Sequence, residues 1–263
     1  MNKDVAGLNK FAPKIIFSIE SEGFIIKTAV TVDDLKLALK LRHAVFLEEG
    51  LNKRHETGLE FDTYDHRADH LMIIEKSKGF AVGTYRLIHS DFSDIFYSQG
   101  EFLLDDFLNL PGSKLELGRA CTHAEYRTGR TMDLLWQGLS QYIRETNTRF
   151  LFGCSSVQSM DPKVVFSILK SLESKGGLNT DLGIEPTPKY QYDNASTHFA
   201  EAEVNPGVLR ELPPLLRSYL HAGSQVYGHP ALDKDFACSD LFTILDLTKL
   251  NKKFAERYNP LGV

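Results

Sequence analysis

Cysteine is scarce in this chain: only Cys121, Cys154 and Cys238 occur among 263 residues. The count is odd and no CxxC pair appears, which argues against a disulfide framework and fits a reducing compartment. Metal-binding spacing is missing too, because none of the nine histidines belongs to an HExxH or comparable pair. His66 and His70 lie four apart, but "DHRADH" reads as a loop entering a strand, so no metal is expected. There is no excess of positive charge. A formal net charge of -5 argues against a general nucleic-acid binder. No stretch approaches the roughly 20 apolar residues of a membrane span. The opening "MNKDVAGLNKFAPKIIFSIE" lacks the apolar run of a secretory signal. The expected location is cytoplasmic, with peripheral contact at the inner membrane face left open.

Repeats, low-complexity tracts and linkers are also absent. With 42% apolar and 25% charged residues, the composition is that of an ordinary soluble globular protein. The expectation is a single domain over residues 1–263, with residues 205–258 completing its sheet or forming a small extension. "FSIESEGFIIKTAV" predicts a strand pair. A helix is predicted from Thr31, with Asp33 and Asp34 in its first turn and an apolar stripe through Leu35, Ala38, Leu39, Val45 and Phe46. "EEGLNKRHETGLEFDTYD" then reads as a long polar loop, a type that is often functional. "HLMIIEK" and "FAVGTYRLIHS" read as strands around a turn at Lys78-Gly79. "TGRTMDLLWQGLSQYIRETN" is an amphipathic helix between the strands "LELGRACTH" and "RFLFGCSSV". Asp161-Pro162 predicts the start of another helix. A helix near 207–222, one or two strands up to "LFTILDL" and a short terminal helix follow. The strand-helix-strand order implies an α/β fold with a parallel pair and a right-handed crossover.

Within "KLELGRACTH", Glu116 and Arg119 sit in the middle of a predicted strand. Buried charge is costly unless it is paired or used. Residues three apart on a regular strand face opposite sides. A bulge at Gly118 would bring both to one face, since glycine suits such a position. From the residues alone, the pair serves equally well as a structural ion pair with neighbours such as Arg86 or Asp65. Asp62 and Asp65 read equally well as turn residues. Cys154 reads as a small buried thiol rather than a nucleophile.

Four patterns occur in order: Arg42-His-Ala-Val-Phe46, Asp62-Thr-Tyr-Asp65, Gly83-Thr-Tyr-Arg86-Leu87 and Glu116-Leu-Gly-Arg119. Together they resemble the acyl-homoserine lactone synthases of the GNAT-like N-acyltransferase group. "LRHAVFLEEG", "EFDTYDHRADHLMI", "LELGRACTHAEYR", "LLWQGLSQY" and "LPPLLRSYLHAGSQVYGHPALDKDFACSDLFTILDL" are more similar to the ornithine lipid N-acyltransferase family, over residues 23–258. The resemblance implies a GNAT-like α/β fold, a mixed sheet with a splayed parallel strand pair flanked by helices. It implies transfer of a 3-hydroxy fatty acyl group from acyl carrier protein to the α-amine of ornithine, giving lyso-ornithine lipid. Glycine or a homoserine-type amine is the alternative acceptor, and a non-catalytic acyl-chain or carrier-protein binding module is the alternative class.

The expected roles follow from this chemistry. Glu116 is the candidate base for the amine proton, with Asp62 and Asp65 as a second acidic set. Arg42, Arg86 and Arg119, with Phe46, are the candidate substrate-binding residues, guanidinium forks being suited to a carboxylate. Many relatives that use acetyl-CoA carry a glycine-rich pyrophosphate loop at a helix N-terminus. Here "EYRTGRTMD" has one glycine, Gly129, flanked by Arg127 and Arg130. That reduction suits the single phosphate of a carrier protein's phosphopantetheine arm, with the arginines toward the carrier. No tightly bound cofactor is expected. An acyl groove is expected to use the apolar face at Val164, Val165, Phe166 and Leu169, a face explained equally well as core.

Overall fold

The computed structural model describes residues 5–205, 207–210 and 212–262. Two compact units emerge, each assembled from separated stretches of chain. The first uses the described residues of Met1–Asp94, Leu115–Thr148 and Tyr258–Val263; the second uses those of Ile95–Lys114 and Arg149–Arg257.

In the first unit, β1 (Ser18–Ser21) and β2 (Phe24–Thr28) pair as a hairpin. Gly23 adopts φ +75° in its two-residue turn, a backbone that L side chains resist. The helix α1 (Val32–Arg42) opens with a reciprocal capping box between Thr31 and Asp34. It does not end where the polar loop was expected to begin. Instead it widens into a π-helical stretch, His43–Gly50, which carries Phe46 another turn along. Single π turns inside helices recur at functional sites.

Antiparallel pairing continues through β3 (Asp69–Glu75), β4 (Ala81–His89) and β5 (Lys114–Thr122). The strand order in this unit is β1-β2-β3-β4-β5. The helix α3 (Gly129–Thr146) packs on β2 to β4, with Trp136 and Leu139 buried. Gly138 is where it comes closest: a Cβ there would stand 2.6 Å from Leu71 and 2.8 Å from Ile26.

The second unit contains α2 (Asp105–Leu108), β6 (Phe150–Val157), α4 (Pro162–Glu173), β7 (Leu178–Asn179), α5 (Ala195–Glu201) and α6 (Pro214–Ala222). It is completed by β8 (Gln225–Asp233), β9 (Cys238–Asp246) and most of α7 (Lys252–Tyr258). Its strand order is β6-β9-β8-β7, antiparallel except for the parallel β7 and β8, so the sheet is mixed. Asp161 caps α4 with Pro162 at its first position, as the sequence predicted. The face of α4 offered as a groove wall divides: Val165, Phe166 and Leu169 lie in this unit's core, whereas Val164 is exposed. The single helix expected near 207–222 is a short 3-10 turn at Val208–Arg210 followed by α6, and residue 211 lies outside the described residues. No helix among the described residues is long and apolar enough to cross a membrane.

Candidate active site

The site grows from an irregularity between β4 and β5. Ile88 pairs with Glu116 and Arg86 with Gly118, but Thr84 pairs with Cys121. Arg119 and Ala120 together therefore oppose the single residue Tyr85, which is a β-bulge. The sequence placed this bulge at Gly118. The structure moves it one residue on: Gly118 keeps strand geometry, and Arg119 adopts the left-handed φ of +48°. A non-glycine residue there is strained, and such strain concentrates at functional sites. Gly118 faces the guanidinium of Arg86, whose Nε a Cβ at this position would meet at 3.6 Å, an ordinary van der Waals contact. The pairing puts Glu116, Gly118 and Arg86 on one face of the sheet. The extra residue turns Arg119 to that face as well, where it reaches Glu60 and Asp62.

Around this point three guanidiniums interleave with carboxylates. Arg42, fully buried at the end of α1, holds Glu60 through Nε and Asp65 through both Nη atoms, the latter at 2.5 and 3.1 Å. Arg86 grips both oxygens of Asp62 through Nη1 at 2.7 and 2.6 Å. Arg119 donates from Nε to Glu60 and from Nη2 to Asp62, both at 3.2 Å. The backbone N–H of Asp62 donates to Asp65 at 2.8 Å, closing the loop on itself. The Arg42 and Arg86 charges hold the Asp65 carboxyl well below the usual carboxylate range, against the effect of its burial. Opposing carboxylates keep Arg42 charged.

His70 underpins this loop from β3. Its Nε2–H donates to the Asp65 carbonyl oxygen at 2.9 Å, and burial lowers its pKa to about 4. With its pKa lowered by burial, the ring acts there as a neutral donor.

Exposure sorts the candidates. Arg42 and Asp65 are inaccessible and engage each other, so they form the buried floor. Asp62, with 25% of its side chain exposed, and Arg119, with 13%, are the members that look outward. Glu116 is 2% exposed on the same strand face, and its charge acts on the Tyr64 hydroxyl. Phe46 is half-buried and packs against the core beside Leu41 and Cys121. Glu60 was not singled out from sequence, yet it joins Arg42 to Arg119. Its only sequence signal was its place two residues before Asp62 in the same long polar loop. A cavity of about 220 Å³ opens against it, lined by Leu8, Leu47, Leu59, Phe61, His55 and Thr57.

In the segment preceding α3 both arginines have partners within the chain. Arg127 makes a bidentate pair with Glu49, at 2.5 and 2.6 Å. Arg130 stacks on Phe24 and donates to the Glu22 carbonyl at 2.5 Å. Gly129 opens the helix with nothing within 4 Å of where a Cβ would project, and Thr128 caps it. Burial pushes the Cys121 thiol up to about 12, which removes it as a nucleophile. Cys154 is half-buried and points its thiol at Ser98.

Residues 41–137 match the acetyltransferase (GNAT) domain family, and that span contains every member of the cluster. Fold and site together define a GNAT-type N-acyltransferase. The chain is 31% identical over 252 residues to the L-ornithine N(alpha)-acyltransferase of Rhizobium meliloti (strain 1021), covering 88% of this chain and 83% of that protein. It is 30% identical over 239 residues to the enzyme of the same name from Brucella abortus (strain 2308), covering 85% and 84%. Among solved structures, the AHL synthase LasI aligns with a TM-score of 0.51 at 13% identity, over 90% of this chain and 95% of that one, a likeness of fold. The chain belongs to the L-ornithine N(alpha)-acyltransferase family.

Proposed function

We propose that this enzyme moves a 3-hydroxy fatty acyl group from acyl carrier protein to the α-amine of ornithine, releasing lyso-ornithine lipid. The family assignment supports the acceptor. The observation that carries the mechanism is the bulge at Arg119, which turns Arg119 to the strand face that Glu116 shares with Arg86.

Glu116 takes a proton from the α-ammonium, and the resulting amine attacks the thioester carbonyl. The tetrahedral oxyanion is stabilised by a backbone N–H at the bulge, where regular pairing is interrupted. Collapse forms the amide and expels the phosphopantetheine thiolate, which takes the amine's remaining surplus proton. Arg119 and Asp62, the outward-facing pair, hold the acceptor's carboxylate and ammonium respectively. Arg42, Asp65 and Arg86 fix that pair in place as positioning residues. The cavity beside Glu60 is smaller than the roughly 300–1,000 Å³ of pockets for drug-sized ligands, a scale that suits an amino acid. The donor's single phosphate approaches the α3 N-terminus at Gly129, and Arg127 and Arg130 face the carrier. The location is the cytoplasm, where acyl carrier protein is available.

The test is a lipid profile by mass spectrometry of cells expressing the wild type or Glu116→Gln, beside a purified assay with acyl carrier protein and ornithine. The expected result is an N-acyl-ornithine species that the variant fails to make. Another N-acyl amino acid would move the acceptor to glycine or a related amine. A folded protein that makes no acylated amine in the purified assay would overturn the reading.

A further inference from the structure

Three separate stretches of the first unit build the cavity beside Glu60. Leu8 comes from the 3-10 turn Val5–Lys10, Leu47 from the π-helical run, and the rest from residues 55–61 of the long loop. Leu59 and Phe61 pack in turn against Leu8, Leu35 and Leu39, so the walls are mainly apolar. Among the described lining residues Glu60 is the one acid. It is 8% exposed, and water reaches it poorly. An apolar cavity holding a single carboxylate suits a cation carried on an aliphatic chain.

Backbone contacts fix the loop that carries this carboxylate. The His55 N–H donates to His43 Nε2 at 3.0 Å, the Gly58 N–H to the His55 carbonyl at 2.9 Å and the Glu60 N–H to the Leu39 carbonyl at 3.2 Å. Glu60 accepts from Arg42 on Oε2 and from Arg119 on Oε1. An ionised carboxylate offers about four lone-pair sites, so these bonds leave it able to accept from a further donor on its cavity side. Arg119 also donates to Asp62, at 3.2 Å. The order across Arg119 is therefore carboxylate, guanidinium, carboxylate. Its complement is ammonium, carboxylate, ammonium, the charge order of an α-amino acid that bears a second amine.

We propose that this cavity takes the acceptor's side chain and that Glu60 binds its terminal ammonium, which makes Glu60 the residue that selects a diamino acid. The inference rests on the acyl-transfer reading above, in which Asp62 and Arg119 hold the α-ammonium and α-carboxylate. Leu8, Leu47 and Phe61 line the methylenes between the two amines. A monoamino acid of equal length would fill the cavity but bring no donor to Glu60. Glycine would leave the cavity unfilled. A site built to bind a polar group rejects the analogue lacking it far more strongly than an apolar wall rejects a missing methylene. Charge recognition at Glu60 therefore contributes more to selection than the fit of the leucines.

The test compares ornithine with norvaline, which has the same three-carbon side chain and no terminal amine, as acceptors for the full chain in the purified assay with acyl carrier protein. The wild type should favour ornithine by at least about 100-fold in kcat/KM. Glu60→Gln should shrink that ratio by at least about tenfold, mainly through KM for ornithine. Leu47→Ala widens the apolar wall without touching a charge, and should raise kcat/KM for lysine relative to ornithine by about tenfold. A thermal melt confirms that each variant is folded. Equal use of ornithine and norvaline by the wild type overturns this inference and leaves the acyl-transfer reading standing. No acylated product from either acceptor defeats that reading, and this inference with it. A folded Glu60→Gln that loses both acceptors in parallel, or keeps the wild-type ratio, overturns the selecting role. If Glu60→Gln does not fold, the wild-type ratio and Leu47→Ala decide, and an unchanged lysine-to-ornithine ratio in Leu47→Ala overturns the placement of the side chain.

Discussion

At the scale of single residues, the cluster separates chemistry from support. Glu116→Gln removes the proposed base while preserving shape, so kcat should fall by about 10²–10⁴-fold with an unchanged melting temperature. Purified turnover and a thermal melt measured together check this. Asp65→Asn should do the opposite, because it strands the fully buried Arg42 charge beside a neutral amide. Breaking a buried pair from one side costs about 3–5 kcal/mol, measurable as a lowered urea midpoint. Asp62→Asn, at the outward edge, should chiefly raise KM for the amino acid.

The pH response also belongs to this scale. His70 has a pKa of about 4 in the folded chain, against an ordinary value of 6.5. As pH falls through that window, the unfolded state binds the proton first and stability declines, by up to about 3 kcal/mol. Below the folded value this group contributes no further loss. Asp65 then adds its own, because its lowered pKa means that acid protonates the unfolded state before the native pair yields. Urea midpoints between pH 7.5 and pH 4 for wild type and His70→Gln test this, with a shallower slope expected in the variant.

At the scale of elements, two backbone irregularities carry the prediction. Arg119 holds a left-handed φ of +48° inside the β5 bulge. Arg119→Gly should keep the bulge and relieve about 1 kcal/mol of strain while sharply reducing turnover, a divergence of stability from activity that a purely structural arginine would not show. Gly228, within the irregular stretch of β8, has φ +67°, and a Cβ there would stand 1.8 Å from the Ile184 carbonyl oxygen. Gly228→Ala should therefore destabilise the chain by at least about 3 kcal/mol, read from its denaturation midpoint. Capping explains why element starts were readable: Thr31 with Asp34, and Asp161 with Pro162, are local chemistry and appear where the sequence put them. The π-helical run at His43–Gly50 was not readable, since no local residue demands a wider turn there.

At the scale of the whole molecule, a net charge of -5 disfavours general attraction to any acidic partner, so in the proposed reaction with acyl carrier protein the steering would fall to local arginines. Arg127 and Arg130 now pair with Glu49 and Glu22, which tempers that role without removing their exposed charge. The double reversal Arg127→Glu with Arg130→Glu should raise KM for acyl carrier protein by about tenfold with kcat retained, and flatten its dependence on salt. Steady-state kinetics across ionic strengths would show it.

The sequence by itself determined the kinds of elements and the caps, through short-range rules of periodicity and turn chemistry, and set Glu116 and Arg119 apart as charges inside a strand; Arg42, Asp62, Asp65 and Arg86 stood out only through the resemblance of their motifs to a family. Only the tertiary structure decided which charge meets which. It made Glu60 the link between Arg42 and Arg119, sank Asp65 out of reach, and moved the bulge from Gly118 to Arg119. Pairing register and long-range contact are properties of the folded sheet, and a one-residue slip in either would exchange the faces on which all of these groups meet.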